Sequence, residues 1–134
     1  MPHSSKHHIL LLSLLLLLGL SLRLFTSADA YLHEWDERYH ALVAKNMLKE
    51  PLQPMLYANP VLPYDYKDWS SNHIWLHKQP LSLWLITGSF AVFGVHEWSL
   101  RLPSILLSTL SIVFTYWIAW YCFKRKHIAL LAAF

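Results

Sequence analysis

The sequence predicts an all-α polytopic membrane protein, and three observations carry that reading. Residues 9–22 (ILLLSLLLLLGLSL) and 102–123 (LPSILLSTLSIVFTYWIAWYCF) hold no charge at all. Only 14% of the 134 residues are charged and 55% are apolar, with a mean hydropathy of +0.31; average soluble domains are about 25% charged. Residues 128–134 are all apolar. They read as the first two turns of a further span, short of the roughly 20 residues that cross a bilayer. The chain therefore reads as the N-terminal fragment of a larger protein, with about three transmembrane helices and the start of a fourth. The other reading is a complete protein with an apolar tail. The low charge and clustered apolar runs exclude an ordinary soluble domain, a disordered tail and a disulfide scaffold, and the single Cys122, inside an apolar run, cannot form an internal disulfide. The net charge of +3 forms no basic stripe, so no nucleic-acid partner is expected.

The first span is expected at 9–27. It follows His3, Lys6, His7 and His8, and the run continues past Arg23 through Leu24 and Phe25. Arg23 is near the end, where its long stem can snorkel to the interface. A charged start, an apolar core and Ala28-Asp29-Ala30 also fit a cleaved signal peptide, but the length favours an uncleaved anchor. The few N-terminal charges put that end in the cytoplasm.

Residues 28–80 differ in kind. They hold seven acidic residues, five basic ones and five of the seven prolines. They read as a folded extracytoplasmic loop at the membrane surface. Within it, 36–49 (DERYHALVAKNMLK) predicts an amphipathic helix. Asp36 or its neighbour can cap it, Asp36 and Glu37 suit its first turn, and Lys45 and Lys49 its last. Tyr39, Val43 and Met47 share one face, and Pro51 stops the helix. That face can lie on the bilayer as an interfacial helix or pack on the protein itself. Prolines 51, 54, 60 and 63 forbid a long regular element in 51–77. Tyr57, Tyr64, Tyr66, Trp69 and Trp75 suit either the headgroup region or a sugar-binding surface.

Residues 79–95 form a second uncharged run of 17, expected as span 2. Ser82, Thr87, Gly88 and Ser89 in it suggest helix–helix packing. Arg101 and Pro103 open span 3, expected at 102–123 with Pro103 in its first turn, and Lys124-Arg125-Lys126 closes it. Simple alternation places 28–80 outside, 96–101 inside and 124–127 outside. The positive-inside rule wants the Lys-Arg-Lys cluster inside. Either 79–95 fails to cross or the cluster is an exception; alternation is kept here.

The densest chemistry is His33-Glu34-Trp35-Asp36-Glu37-Arg38-Tyr39-His40. Three acids in four positions raise each other's proton affinity unless a cation intervenes. Such a site can accept a proton, bind a cation or pair with Arg38; the bland reading is a solvated helix start. Lys78, in His77-Lys78-Gln79-Pro80, precedes an apolar run at a depth suited to a lipid phosphate or to simple anchoring. His33, His40, His73 and His77 could build a zinc site, but His33-Glu34-x-x-Glu37 is not H-E-x-x-H. A divalent metal is possible, and no metal ligand is assigned.

Together these segments resemble the start of the polytopic, lipid-dependent glycosyltransferases, the family of the protein O-mannosyltransferases and the bacterial aminoarabinose transferases that modify lipid A. The resemblance rests on Asp36-Glu37-Arg38-Tyr39-His40-Ala41, then Asn46-Met47-Leu48. His77-Lys78-Gln79-Pro80-Leu81 with Trp84 and Leu85 follows, then Phe93-Gly94 and Arg101-Leu102-Pro103-Ser104. Two positions depart from the family pattern: His40 at the aromatic position, and Gln79 in place of the first proline of Lys-Pro-Pro.

The resemblance implies a polyprenyl-phosphate-linked sugar donor in membrane lipid and a glycan, lipid or protein acceptor. It implies an inverting transfer at the outer face of the bacterial inner membrane. Asp36 would take the acceptor proton, with Glu37 as its catalytic companion, and Glu37 and Arg38 would hold it. Lys78 would stabilise the departing phosphate, with His40 and His77 in support. Family members have many more spans, so this chain alone is expected to be inactive. The rival is a small membrane adaptor whose aromatic loop meets a partner or a lipid surface.

Overall fold

A computed structural model describes residues 3–61, 63–65, 67–68 and 73–134, with side chains described from His7 onward. It holds helices α1 (His3–Thr26), α2 (Asp36–Met47), α3 (Pro80–Phe93), α4 (Glu97–Phe123) and α5 (Lys126–Ala133). The chain divides into two compact units. One is Met1–Ala28 with Ser104–Phe134; the other is Asp29–Pro103.

In the first unit, α1 is leucine-rich and apolar around its whole circumference. His7–Thr26 is 20 residues long, enough to cross a membrane, and so is the 27-residue α4. The leucines of α1 are exposed, Leu17 at 61%, as expected of a helix whose solvent is lipid. Arg23 is held between two helices. Its Nε donates to Ser108 Oγ at 2.8 Å and its Nη1 to the Gly19 carbonyl at 2.9 Å. Gly19 makes the room, because a Cβ there would lie 2.6 Å from Ile112 Cδ1 and 2.8 Å from Arg23 Nη1. The hydroxyls of Thr109, Ser111 and Thr115 donate to carbonyls three or four residues back on α4, which keeps an apolar helix free of unpaired polar groups. Tyr116, Ala119 and Ala129 pack together, with Leu12, Leu130 and Ala133 around them.

The second unit is built on α2. This helix ends at Met47, two residues before the expected limit, and Leu48 and Lys49 close it with backbone bonds to Lys45 and Asn46. Its N-cap is Trp35, not Asp36, and no side chain caps it. Val43 and Met47 are buried with Leu56, Trp75 and Leu83, and Tyr39 packs against them. The apolar face thus packs on the protein, the second of the two alternatives open in the sequence. Ala44 lies with Ile86, Phe90 and Leu100, so two stripes of α2 are covered. Each large apolar side chain buried this way contributes roughly 1.5–3 kcal/mol.

The proline-rich connection is tied down by single contacts. Asn46 Nδ2 donates to the Met55 carbonyl at 2.8 Å and the Leu56 carbonyl at 3.1 Å. Leu56 N donates to the His73 carbonyl at 2.6 Å and Trp75 N to the Pro54 carbonyl at 2.8 Å. These bonds bracket an isolated antiparallel bridge between Met55 and Ile74; no strand occurs among the described residues. Trp75 is a core residue, 2% exposed, rather than a headgroup anchor or a sugar platform. Tyr57 and Tyr64 are exposed, and Tyr66 and Trp69 lie outside the described residues.

The run expected as span 2 is the 14-residue α3, which packs against α2. Thr87 and Ser89 are buried, and the Thr87 hydroxyl is placed between the Leu83 and Ala44 carbonyls, at 2.8 and 3.3 Å. Gly88 meets no neighbour, so it is not a close-approach site. Gly94, at φ 85, ends α3 in a conformation glycine adopts freely.

α4 begins at Glu97, five residues before the expected start, so Pro103 is interior rather than first-turn. Proline cannot donate to the carbonyl four residues back, here Ser99. The buried Ser89 hydroxyl donates to that carbonyl instead, at 2.6 Å, which is why the helix tolerates the proline.

Candidate active site

Asp36 opens α2, and Lys78 lies 42 residues later, just before α3. Lys78 Nζ donates to Asp36 Oδ2 at 3.0 Å. The lysine ammonium holds the Asp36 carboxyl below the usual carboxylate range. The first turn of a helix favours the same charge. Asp36 is largely in solvent and Lys78 partly so, so the pair stays accessible and is a weak brace for the fold. Beside Lys78 lies a cleft of 530 Å³ lined by Leu76, His77, Lys78, Gln79 and Pro80.

His40 is one turn beyond Asp36. Burial lowers its pKa, and the charge of Asp36 partly offsets that. Its ring meets Trp75 edge-on at 5.6 Å, Tyr39 stacks on Trp75 at 6.3 Å, and His77 lies 6.3 Å from the same indole. The buried indole is thus the wall against which the two histidines rest. Among the described residues its Nε1 has no hydrogen-bond partner.

Glu37 faces another way. Its Oε1 accepts from Arg101 Nε at 2.6 Å. Its Oε2 accepts from Arg101 Nη2 at 3.1 Å and from His33 N at 2.6 Å. The Arg101 guanidinium is the main reason its carboxyl lies below the usual range. Arg101, 9% exposed, also donates to the Asp29 carbonyl at 2.7 Å and the Tyr31 carbonyl at 2.8 Å. Arg38 is 3.9 Å from Glu34, one turn back, with both exposed; Lys78, not Arg38, is the cation on Asp36.

Of the residues singled out in the sequence, Asp36 pairs with Lys78, His40 and His77 rest on Trp75, and Lys78 and His77 line the cleft, while Glu37 and Arg38 pair elsewhere. Among the described residues no three His, Cys, Asp or Glu side chains gather as a metal-binding group, so His33, His40, His73 and His77 do not form a zinc site by themselves. From sequence, Arg101 stands out as a motif residue opening span 3, not as the partner of Glu37. Its signal was present: an arginine opening a 22-residue uncharged run needs a counter-charge, and Glu37 was a candidate.

Residues 77–134 match the family model of dolichyl-phosphate-mannose-protein mannosyltransferases. An uncharacterized protein of Aquifex aeolicus (strain VF5) is 32% identical over 99 residues, covering 72% of this chain and 17% of that protein. The chain thus spans about one-sixth of the length of that curated relative. No solved structure matches it. The matched segment, from His77 onward, contains Lys78 and the Arg101-Leu102-Pro103-Ser104 motif, and over it the chain is similar to the dolichyl-phosphate-mannose-protein mannosyltransferases, the family that its sequence motifs resemble.

Proposed function

We propose that residues 1–134 are the N-terminal part of a membrane glycosyltransferase of the mannosyltransferase type. It moves a sugar from a polyprenyl-phosphate-linked donor to a hydroxyl or phosphate acceptor outside the cytoplasm. The observation that carries this reading is the 3.0 Å contact between Asp36 and Lys78, a solvent-open acid–cation pair at the mouth of a cleft. The acceptor oxygen attacks the anomeric carbon and its proton passes to Asp36, which the Lys78 ammonium keeps ionised. The bond from that carbon to the phosphate oxygen breaks. The polyprenyl phosphate leaves with its new negative charge against the Lys78 ammonium. His40 and His77 line the approach. The acceptor is a protein, a lipid or a glycan.

The length of α3 supports a two-span reading of sidedness. Fourteen residues make about 21 Å of helix, short of a hydrocarbon core of about 30 Å. Arg101 bonds to Asp29, Tyr31 and Glu37 inside one compact unit, which supports 28–80 and 96–101 sharing one side of the bacterial inner membrane. The chain then crosses twice, by α1 and α4, and Lys124-Arg125-Lys126 returns to the cytoplasm as the positive-inside rule requires. This is the alternative in which 79–95 does not cross, and it is proposed here in preference to simple alternation.

The test is transfer from a polyprenyl-phosphate-linked sugar by the intact protein, with Asp36→Asn as its control. Membrane-impermeant thiol labelling of single cysteines checks sidedness. Asn59→Cys should react in intact cells and Arg125→Cys only after permeabilisation.

A further inference from the structure

We infer that Arg101 is a positioning residue that aims Asp36 through Glu37 and a strained backbone at Trp35. The inference rests on the proposed role of Asp36. Three observations meet here. First, Arg101 is nearly buried yet spends its guanidinium on both oxygens of Glu37 and on the carbonyls of Asp29 and Tyr31. Second, Glu37 also takes the backbone N–H of His33 at 2.6 Å. The chain is therefore gripped on both sides of residues 34–36, at His33 before and Glu37 after. Third, within that grip Trp35 sits at φ 64, ψ −117. This is the mirror image of an extended conformation and is costly for any residue but glycine.

The Trp35 side chain is 70% exposed, so its own packing does not offset the strain. The next residue is Asp36, whose carboxylate is directed at Lys78 across 3.0 Å. Release of the grip lets Trp35 relax to negative φ, and that rotation swings the first turn of α2 and the Asp36 carboxylate with it. Arginine is needed because only its planar fork meets a carboxylate and two carbonyls together.

The experiment uses the intact protein in its membrane and two independent readouts. The first is acetylation of Lys78 by a water-soluble N-hydroxysuccinimide acetate, followed by mass spectrometry; it reports whether Asp36 still covers the amine. Asp36→Asn sets the uncovered rate, about two- to fivefold above wild type for an exposed pair. Arg101→Lys should reach that rate. The second readout is steady-state transfer. Arg101→Lys should lower kcat by about 10- to 100-fold, as expected of a misplaced reacting group, and leave the donor KM unchanged.

Trp35→Gly removes the strain the grip must hold, so adding it to Arg101→Lys should restore part of both readouts. A merely structural arginine would not be rescued by a glycine at 35. If Arg101→Lys does not accumulate, Glu37→Gln takes its place, with acetylation expected to rise in the same sense. Wild-type acetylation in either variant overturns the inference, as does a loss confined to donor KM or an absence of rescue by Trp35→Gly. Undiminished transfer by Asp36→Asn would instead overturn the catalytic reading and leave the acetylation result to judge the grip.

Discussion

The two compact units handle the same apolar composition in opposite ways. In Asp29–Pro103, Val43, Ala44 and Leu83 have no exposed surface, and several polar groups beside them are paired: Thr87 on Ala44, Ser89 on Ser99, Arg101 on Glu37. In Met1–Ala28 with Ser104–Phe134, apolar side chains such as Leu17 and Ile118 point outward. Several polar side chains there bond within their own helix, as Thr109 and Thr115 do, or to a facing residue, as Arg23 does to Ser108. The first pattern is that of a small domain with its own core. The second is that of helices dissolved in lipid, where apolar exposure costs nothing and only an unpaired polar group is penalised. The candidate chemistry belongs entirely to the first. A site that moves protons and charge needs accessible carboxylates and amines on a rigid support, which helices in lipid do not supply.

The sharpest way to break that contrast is to remove the proton acceptor. Asp36→Asn in the intact protein should lower transfer by about 10²–10⁴-fold with expression unchanged; turnover at the wild-type rate would reduce Asp36 to a surface residue. Next comes the core. Leu83→Ala should cost about 2–5 kcal/mol of stability, read as a lowered thermal midpoint in detergent. Leu17→Ala on α1 should stay within about 0.5 kcal/mol. Equal losses at the two positions would erase the distinction between the units.

Lys78→Ala should weaken donor binding about 10- to 100-fold through loss of a charge-assisted bond worth about 1.5–3 kcal/mol. Lys78→Arg should recover part of it. A donor titration with unchanged affinity and rate would make Lys78 a general anchor. Ser89→Ala should leave the Ser99 carbonyl unpaired at Pro103 and cost about 1–3 kcal/mol, again read by thermal unfolding.

The smallest effect concerns pH. Arg101 lowers the pKa of Glu37 from its ordinary 4.5. A carboxyl lowered on folding stabilises the fold fully above its ordinary value and loses that contribution as pH falls through the folded one. Unfolding midpoints should therefore be level in Glu37 above about pH 5 and decline below 4.5. Glu37→Gln should flatten that acid limb, and an acid limb identical in the variant would remove Glu37 as its source.

Much of the local structure was open to inspection in the residues alone. Uncharged runs define α1 and the body of α4 because lipid selects composition, and composition needs no knowledge of neighbours. Tyr39, Val43 and Met47 mark the buried face of α2 because helical spacing is local, and four prolines between 51 and 63 deny regular structure to the connection for the same reason. Asp36 and Lys78 stood out separately, each by its own surroundings.

What only the tertiary structure decided are the pairings across long separations. Lys78 meets Asp36 over 42 residues and Arg101 meets Glu37 over 64. Three acids in four positions offered each cation several partners of similar local merit, and only the packing of α3 on α2 brings one of them within reach. The extent of α4 was hidden likewise. Pro103 reads as a helix start until the Ser89 hydroxyl, from another helix, takes over the carbonyl that proline leaves unpaired. Helix periods and hydropathy are carried by neighbours in sequence, whereas a hydrogen bond or an ion pair depends on the position of its partner, which is set by the fold.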